Sequence, residues 1–182
     1  MPIARAHFDP VPDAGPRLTY ADPVMAEDYL VAVAGAADLS DVARMRARWT
    51  LGEPAPGGFD PADPAYPERL ADWWSREAGQ RVLWLARHRQ SGEAAGMVNA
   101  LIFERMPRPG QAPSRWAYVA NLWVEPEHRR GGVGTALVGA LVEWARASGM
   151  VRVVLSPSEM SMPLYASFGF RSAADLMRLD LR

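Results

Sequence analysis

Residues able to bind a doubly charged phosphate anion are concentrated between Arg129 and Thr135, where the chain reads Arg-Arg-Gly-Gly-Val-Gly-Thr. Upstream, Leu122, Trp123 and Val124 have the character of a buried strand end that Pro126 stops. Downstream, Val133, Leu137, Ala140, Leu141 and Trp144 recur at helical spacing. The glycines therefore fall at a helix N-terminus. There the first backbone N–H groups lack intrahelical partners and the macrodipole is positive, so a pyrophosphate can replace the missing acceptors. Gly132 and Gly134 present no Cβ to block its approach, and Arg129 and Arg130 can add charge-assisted hydrogen bonds. A tight turn with solvated arginines uses the same residues, so spacing has to discriminate.

The spacing Arg129-x-x-Gly132-x-Gly134 resembles the Gln/Arg-x-x-Gly-x-Gly/Ala signature of the GNAT (GCN5-related N-acetyltransferase) superfamily, in which these amides hold the pyrophosphate of acetyl-coenzyme A. A second segment, Leu164-Tyr165-Ala166-Ser167-Phe168-Gly169-Phe170, resembles that family's Leu-Tyr-x-x-x-Gly-Phe segment and follows in the same order. The resemblance covers roughly residues 28 to 182 and is most specific over 118 to 170. It implies an α/β (α+β) fold: a mixed, mostly antiparallel sheet with a splayed parallel strand pair, flanked by about four helices. The implied donor is acetyl-CoA, held by Leu122, Trp123, Val124, Arg129, Arg130, Gly131, Gly132, Val133, Gly134 and Thr135. Ser158 is added because many relatives carry a cofactor-touching asparagine seven residues before the tyrosine.

Acetyl transfer from a thioester to an amine needs a neutral amine, charge stabilisation on the carbonyl oxygen and a proton for the departing sulfur. By resemblance, the N–H of Val124 polarises the carbonyl and Tyr165 is the proton donor. A phenol of reference pKa near 10 is a workable weak acid beside a thiol near 8.5. The alternative for Tyr165 is a core tyrosine packed beside Phe168 and Phe170. Where some relatives place a glutamate base the chain has Tyr118, and no acid occurs from Trp116 to Val124. Glu104, Glu159 or a water chain remain as candidates for the base. Glu159 has a structural alternative as well, since Ser156-Pro157-Ser158-Glu159 spells a capping box, with Ser161 able to cap a separate short helix before Pro163.

Composition excludes several other chemistries. The chain has 182 residues, no cysteine and no lysine; all 20 of its basic residues are arginine. Disulfides, zinc-thiolate sites, acyl-cysteine intermediates, Schiff bases and a Walker phosphate loop are thereby ruled out. His7, His88 and His128 form no metal-binding pattern, so no metal is expected. A net charge of −1 gives no general field for nucleic acid or an anionic membrane. No run of eighteen apolar residues and no secretory leader is visible, and a cytoplasmic protein is the expectation. A dinucleotide-binding Rossmann domain would need a third glycine where Leu137 stands.

The elements that must position these groups read as follows. Residues 1–24 carry five prolines and little periodicity, and read as an extended or mobile arm; 25–182 read as one acetyltransferase domain. Strands are predicted at Tyr29–Val33, Arg81–Arg87, Ala94–Phe103, Trp116–Val124, Val151–Leu155 and Met177–Leu181, the middle three as an antiparallel meander. Helices are predicted at Asp38–Leu51, capped by Asp38 or Ser40, then from Pro67 to Gly79, from Gly132 to Ser148, and around Tyr165. Residues 52–65 hold a proline- and glycine-rich loop. Trp84, Trp123 and Trp144 fit core positions. Trp49, Trp73 and Trp74 lie on or near the first two helices, which in the family frame the acceptor slot. An exposed Trp73–Trp74 pair would suit an aromatic or cationic amine, or a subunit interface in a homodimer. The expected function is acetyl-CoA-dependent N-acetylation of a small-molecule primary amine by direct attack in a ternary complex. An acyl-CoA sensor without turnover and a protein N-terminal or lysine acetyltransferase are the alternatives.

Overall fold

The computed structural model describes residues 24–26, 28–51 and 63–181, the first three by their backbone alone. The proposed arm, up to its boundary at residue 24, and most of the proline- and glycine-rich loop lie outside the described residues. Among the described residues one sheet is built in chain order from β1 (Val24–Ala26), β2 (Tyr29–Val33), β3 (Arg81–His88), β4 (Ala94–Glu104), β5 (Arg115–Val124) and β6 (Val153–Leu155). Neighbours from β1 to β5 run antiparallel, and β5 and β6 run parallel. This is the mixed, mostly antiparallel sheet that the sequence implies, with β1 as an additional edge strand. Four α-helices accompany it: α1 (Leu39–Leu51), α2 (Tyr66–Glu77), α3 (Val133–Ala147) and α4 (Met162–Ser167). No helix among the described residues is long and apolar enough to cross a membrane.

The alternation of β3 and β4 sends side chains to two different layers. Trp84, Ala86, Val98 and Ala100 face α3 and α4, whereas Leu83, Leu85 and Met97 face α1 and α2. The α3 layer is the larger, because nine of that helix's fifteen residues are buried, among them Leu137, Leu141 and Trp144. Trp84 and Trp144 meet edge to face with ring centroids 5.2 Å apart. Gly96 lets the start of α3 and the end of β5 lie close against β4. A Cβ there would lie 2.8 Å from the Trp123 carbonyl oxygen and 3.0 Å from Val133 Cγ1.

Two irregularities shape the far end of β5. Between the pairs Met97–Trp123 and Asn99–Ala120, β4 has one residue and β5 has two, Asn121 and Leu122. Asn121 takes up the extra residue at φ 61°, a left-handed conformation that asparagine tolerates better than most residues. The parallel ladder with β6 also ends early, at Val119–Leu155, so β6 offers no partner to residues 120–124. The strand pair therefore opens toward its C-terminal end.

The structure corrects three local expectations and decides one that was conditional. Met177–Leu181 is not a strand: its side chains alternate, but Met177, Leu179 and Leu181 are all exposed. Alternation specifies a strand only where a neighbouring edge receives it, and a cleft of about 730 Å³ lined by Val153, Val154 and residues 168–176 lies beside β6 instead. The capping box at Ser156–Glu159 does not form. Ser158 Oγ instead hydrogen-bonds Ser161 Oγ at 3.0 Å, and Ser161 Oγ donates to the Ser158 carbonyl, so neither hydroxyl caps a helix. Asp38 stands just before α1, yet its carboxylate accepts from the Gly35 N–H behind it and from Arg87. Trp73 and Trp74 are half-buried rather than exposed: Trp74 packs on the α1 layer and the Arg81 guanidinium covers Trp73 at 4.9 Å.

Candidate active site

Helix α3 begins at the mouth of the opened strand pair. After β5 a single 3-10 turn, Pro126–His128, carries the chain to Arg129; Arg130 (φ 64°) and Gly132 (φ 81°) then both adopt left-handed backbone. Two such turns in succession swing the chain into the helix. Gly132 is the N-cap residue and no side chain caps the helix, so the N–H groups of Val133, Gly134 and Thr135 have no side-chain acceptor. Gly131, Gly132 and Thr135 are exposed, and Val133 is buried as the anchor. This is the geometry of an anion cradle. Gly134 has a further role: a Cβ there would lie 3.3 Å from Leu164 Cδ2 and 3.8 Å from Val124 Cγ2. The cradle, the end of β5 and α4 thus converge at one glycine.

Arg129 and Arg130 are both exposed at the turn. Arg129 donates from Nε to the Val124 carbonyl at 3.1 Å, and its guanidinium lies 4.9 Å over the Trp123 ring. Tyr165, on α4, is 8% exposed and meets Phe170 edge to face at 5.6 Å. It lines a cavity of about 490 Å³ with Val154, Leu155, Pro157, Met162 and Phe170. Burial raises its phenol above the ordinary value, so it holds its proton firmly. Ser158 is exposed and engaged with Ser161.

The opposite face of β4 and β5 looks toward α1 and α2. There Leu101 opposes Tyr118 and Asn99 opposes Ala120, with Trp49 of α1 stacked on Trp123 at 6.1 Å and 18°. Asn99 is 5% exposed and its Oδ1 has no hydrogen-bond partner, a polar atom left open in an otherwise apolar layer. Of the candidate bases, Glu104 pairs with Arg115 at the opposite end of β5 from Val124, nine residues away. That is about 30 Å along a strand. Glu159 is exposed on the turn before α4.

Sequence reasoning missed the buried carboxylate nearest the cradle. Glu125 is 2% exposed and accepts from Arg44 Nη1 (2.7 Å), Arg48 Nη1 (3.0 Å) and the Trp123 indole N–H (3.1 Å). Its partners on α1 lie 81 and 77 residues away in the chain, so no local pattern announces the cluster. The one available signal is an acid immediately after an apolar strand, which ordinarily reads as solvated.

A model of the acetyltransferase (GNAT) family matches residues 45–170, well over half of the chain. The glucosamine 6-phosphate N-acetyltransferase of Trypanosoma brucei brucei is 35% identical over 94 residues, which is 52% of this chain and 62% of that protein. Human N-acetyltransferase 8 is 30% identical over 110 residues, 57% of this chain and 40% of that one. The chain thus spans less than two thirds of these relatives. Among solved structures, a Trypanosoma brucei acetyltransferase superposes with a TM-score of 0.62 at 29% identity, over 85% of this chain and all of that one. The glucosamine-6-phosphate N-acetyltransferase of Arabidopsis thaliana superposes at 0.65 over 86% and 100%, with 14% identity, a likeness of fold alone.

Proposed function

Since the chain belongs to the GNAT acetyltransferase family, we propose that it transfers the acetyl group of acetyl-CoA to the primary amine of a small molecule, by direct attack within a ternary complex. The observation that carries this reading is the uncapped start of α3 at the open end of the β5–β6 pair, with Tyr165 on the adjoining helix. The residues fit a diphosphate: amides of Val133, Gly134 and Thr135 point outward from a glycine N-cap, and Arg129 and Arg130 flank them. The donor supplies an activated acyl carbon; everything else falls to the chain. In this reading the N–H of Val124 polarises the thioester carbonyl, aided by Leu122 and Trp123 as backbone partners of the pantetheine. The amine nitrogen bonds to the carbonyl carbon, the carbon–sulfur bond breaks, and Tyr165 gives its proton to the sulfur. With Glu104 remote and Glu159 exposed, the amine's own proton leaves through water. Ser158 serves the donor through its main chain, because its hydroxyl is engaged.

The reading of a small acceptor rests on the slot floor, where apolar side chains surround the buried Asn99, whose Oδ1 has no hydrogen-bond partner. Aminosugar phosphates are the first acceptors to test, given the name of the Trypanosoma brucei brucei relative. The experiment follows thiol release from acetyl-CoA with a panel of amines that includes glucosamine 6-phosphate, N-terminal peptides and lysine peptides. Turnover with free amines only is the expected result. Tight acetyl-CoA binding with no acceptor raising release above background would overturn the enzymatic reading and favour a sensor.

A further inference from the structure

Both oxygens of Glu125 are committed: Oε1 to Arg44, and Oε2 to Arg48 and the Trp123 indole N–H. A carboxylate so engaged is a poor base, and its partners explain its burial better than catalysis does. Its main chain is equally committed. The Glu125 N–H donates to the Ala95 carbonyl at 2.9 Å, ending the sheet, and the Glu125 carbonyl accepts from the His128 N–H at 2.9 Å, starting the turn into the cradle. A second, independent set of contacts runs parallel to these. Arg46 covers Trp49 at 4.7 Å, Trp49 stacks on Trp123 at 6.1 Å, and Arg129 covers the Trp123 ring at 4.9 Å. Helix α1 therefore grips the junction between β5 and the cradle twice, by ion pairs to Glu125 and by an aromatic stack that ends on Arg129.

We propose that Glu125 is a positioning residue for the donor site: by anchoring Arg44, Arg48 and Trp123 it fixes the shelf on which Arg129 rests and the turn from which the diphosphate-binding amides project. The inference builds on the acetyl-CoA reading above. Charge supports it. Glu125 and Glu127 are two carboxylates beside a proposed dianion site, and Arg48 pairs with both, at 3.0 Å and 2.8 Å, while Arg44 pairs with the first. The α1 arginines thus offset a repulsion that the bare turn would present to phosphate.

Calorimetric titration of the full chain with CoA tests the assignment, because Glu125→Gln separates positioning from simple charge by the sign of its effect. Removing a negative charge near an anion site should tighten CoA if only the field matters. Positioning requires the reverse, a loss of about fivefold or more in affinity, accompanied by a weakening of the same direction for Arg44→Gln, which breaks the ion pairs to Glu125 and Asp41 at a residue 30% exposed. Unchanged or tighter CoA binding by Glu125→Gln overturns the proposal, and so does a lower Tm with unchanged affinity. If Glu125→Gln does not fold, Trp123→Phe keeps an aromatic ring in the stack but loses the fused five-membered ring and with it the indole N–H to Glu125; weaker CoA binding is then expected, and unchanged binding overturns the proposal. Wild-type protein that binds no CoA would instead sink the acetyl-CoA reading itself.

Discussion

Gly134 and Leu164 face each other across the opening of the β5–β6 pair, with 3.3 Å between Leu164 Cδ2 and the position that a Cβ on Gly134 would take. The start of α3 and the helix that carries Tyr165 are therefore separated by the width of a missing methyl group. Leu164 is a flexible neighbour and could yield to an alanine, but Val124 Cγ2 closes the other side at 3.8 Å. Gly134→Val should lower CoA affinity by about tenfold or more, roughly 1.4 kcal/mol, while the fold survives. Titration of the variant with CoA beside its circular dichroism spectrum checks both halves of the statement.

Gly96 is the structural counterpart. Its hypothetical Cβ meets a backbone oxygen, that of Trp123, at 2.8 Å, and backbone cannot swing aside as a side chain can. Gly96→Ala should cost about 1–3 kcal/mol of stability by displacing the end of β5 and crowding Val133 and Leu137 of α3. Urea unfolding of the two proteins would read this as a lower midpoint at an unchanged slope.

Tyr165→Phe should reduce turnover by about a hundredfold with an active amine and leave CoA affinity nearly unchanged, as measured by steady-state kinetics and calorimetry. If both stay at wild-type values, the phenol is a core side chain only.

The same phenol makes a prediction in alkali. Burial raises its pKa in the fold, so the folded protein holds the proton more tightly than the unfolded chain does. Above the unfolded value, near 10, the unfolded state releases protons first, and stability falls as pH rises. Below that value the two states are equally protonated at this group and it contributes no slope. Melting temperatures from pH 8 to 11 should therefore decline less steeply in Tyr165→Phe than in the wild type.

At the other end of the pH scale, Arg87 ties β3 to the start of α1 through Asp38 at 2.6 Å and Asp41 at 2.8 Å. Burial opposes ionisation of Asp38, but hydrogen bonds from Arg87 and the Gly35 N–H outweigh it and hold the carboxyl below its ordinary value. A lowered folded pKa stabilises above the unfolded value, near 3.9, and that stability is lost as pH falls through the folded value. Arg87→Gln should cost about 1 kcal/mol or less at pH 7, the pair being partly exposed, and the difference from wild type should shrink toward pH 2. Chemical unfolding at the two pH values measures it.

How legible the protein was depends on the range of the interactions concerned. The helix from Val133 follows from 3.6-residue periodicity, and the strands from Arg81 to Val124 and at Val153 from short apolar and β-branched runs bounded by turn residues, whereas the parallel pairing of the last two was an implication of the family resemblance. The turn into α3 was legible for the same reason: a strand end, a proline, paired arginines, glycines and a helix start are consecutive in the chain. Met177–Leu181 shows the limit of that logic, because its alternation has no neighbouring edge to receive it. So does Ser156–Glu159, where the hydroxyls of Ser158 and Ser161 satisfy each other before they reach a helix N–H.

By itself, then, the order of residues determined most of the sheet-and-helix sequence from Tyr29 to Ser167, the exclusion of cysteine and lysine chemistry, and the glycine-rich start of α3, all of which depend on neighbours within a few positions. Only the tertiary structure decided that Glu125 is buried between two arginines and an indole, that Gly134 lies against Leu164, and that Asn99 leaves an oxygen unpaired beside the slot. Those contacts join segments tens of residues apart. Which distant partners meet is set by how α1, α3 and α4 pack on the two faces of one sheet, and chain order carries no direct trace of it.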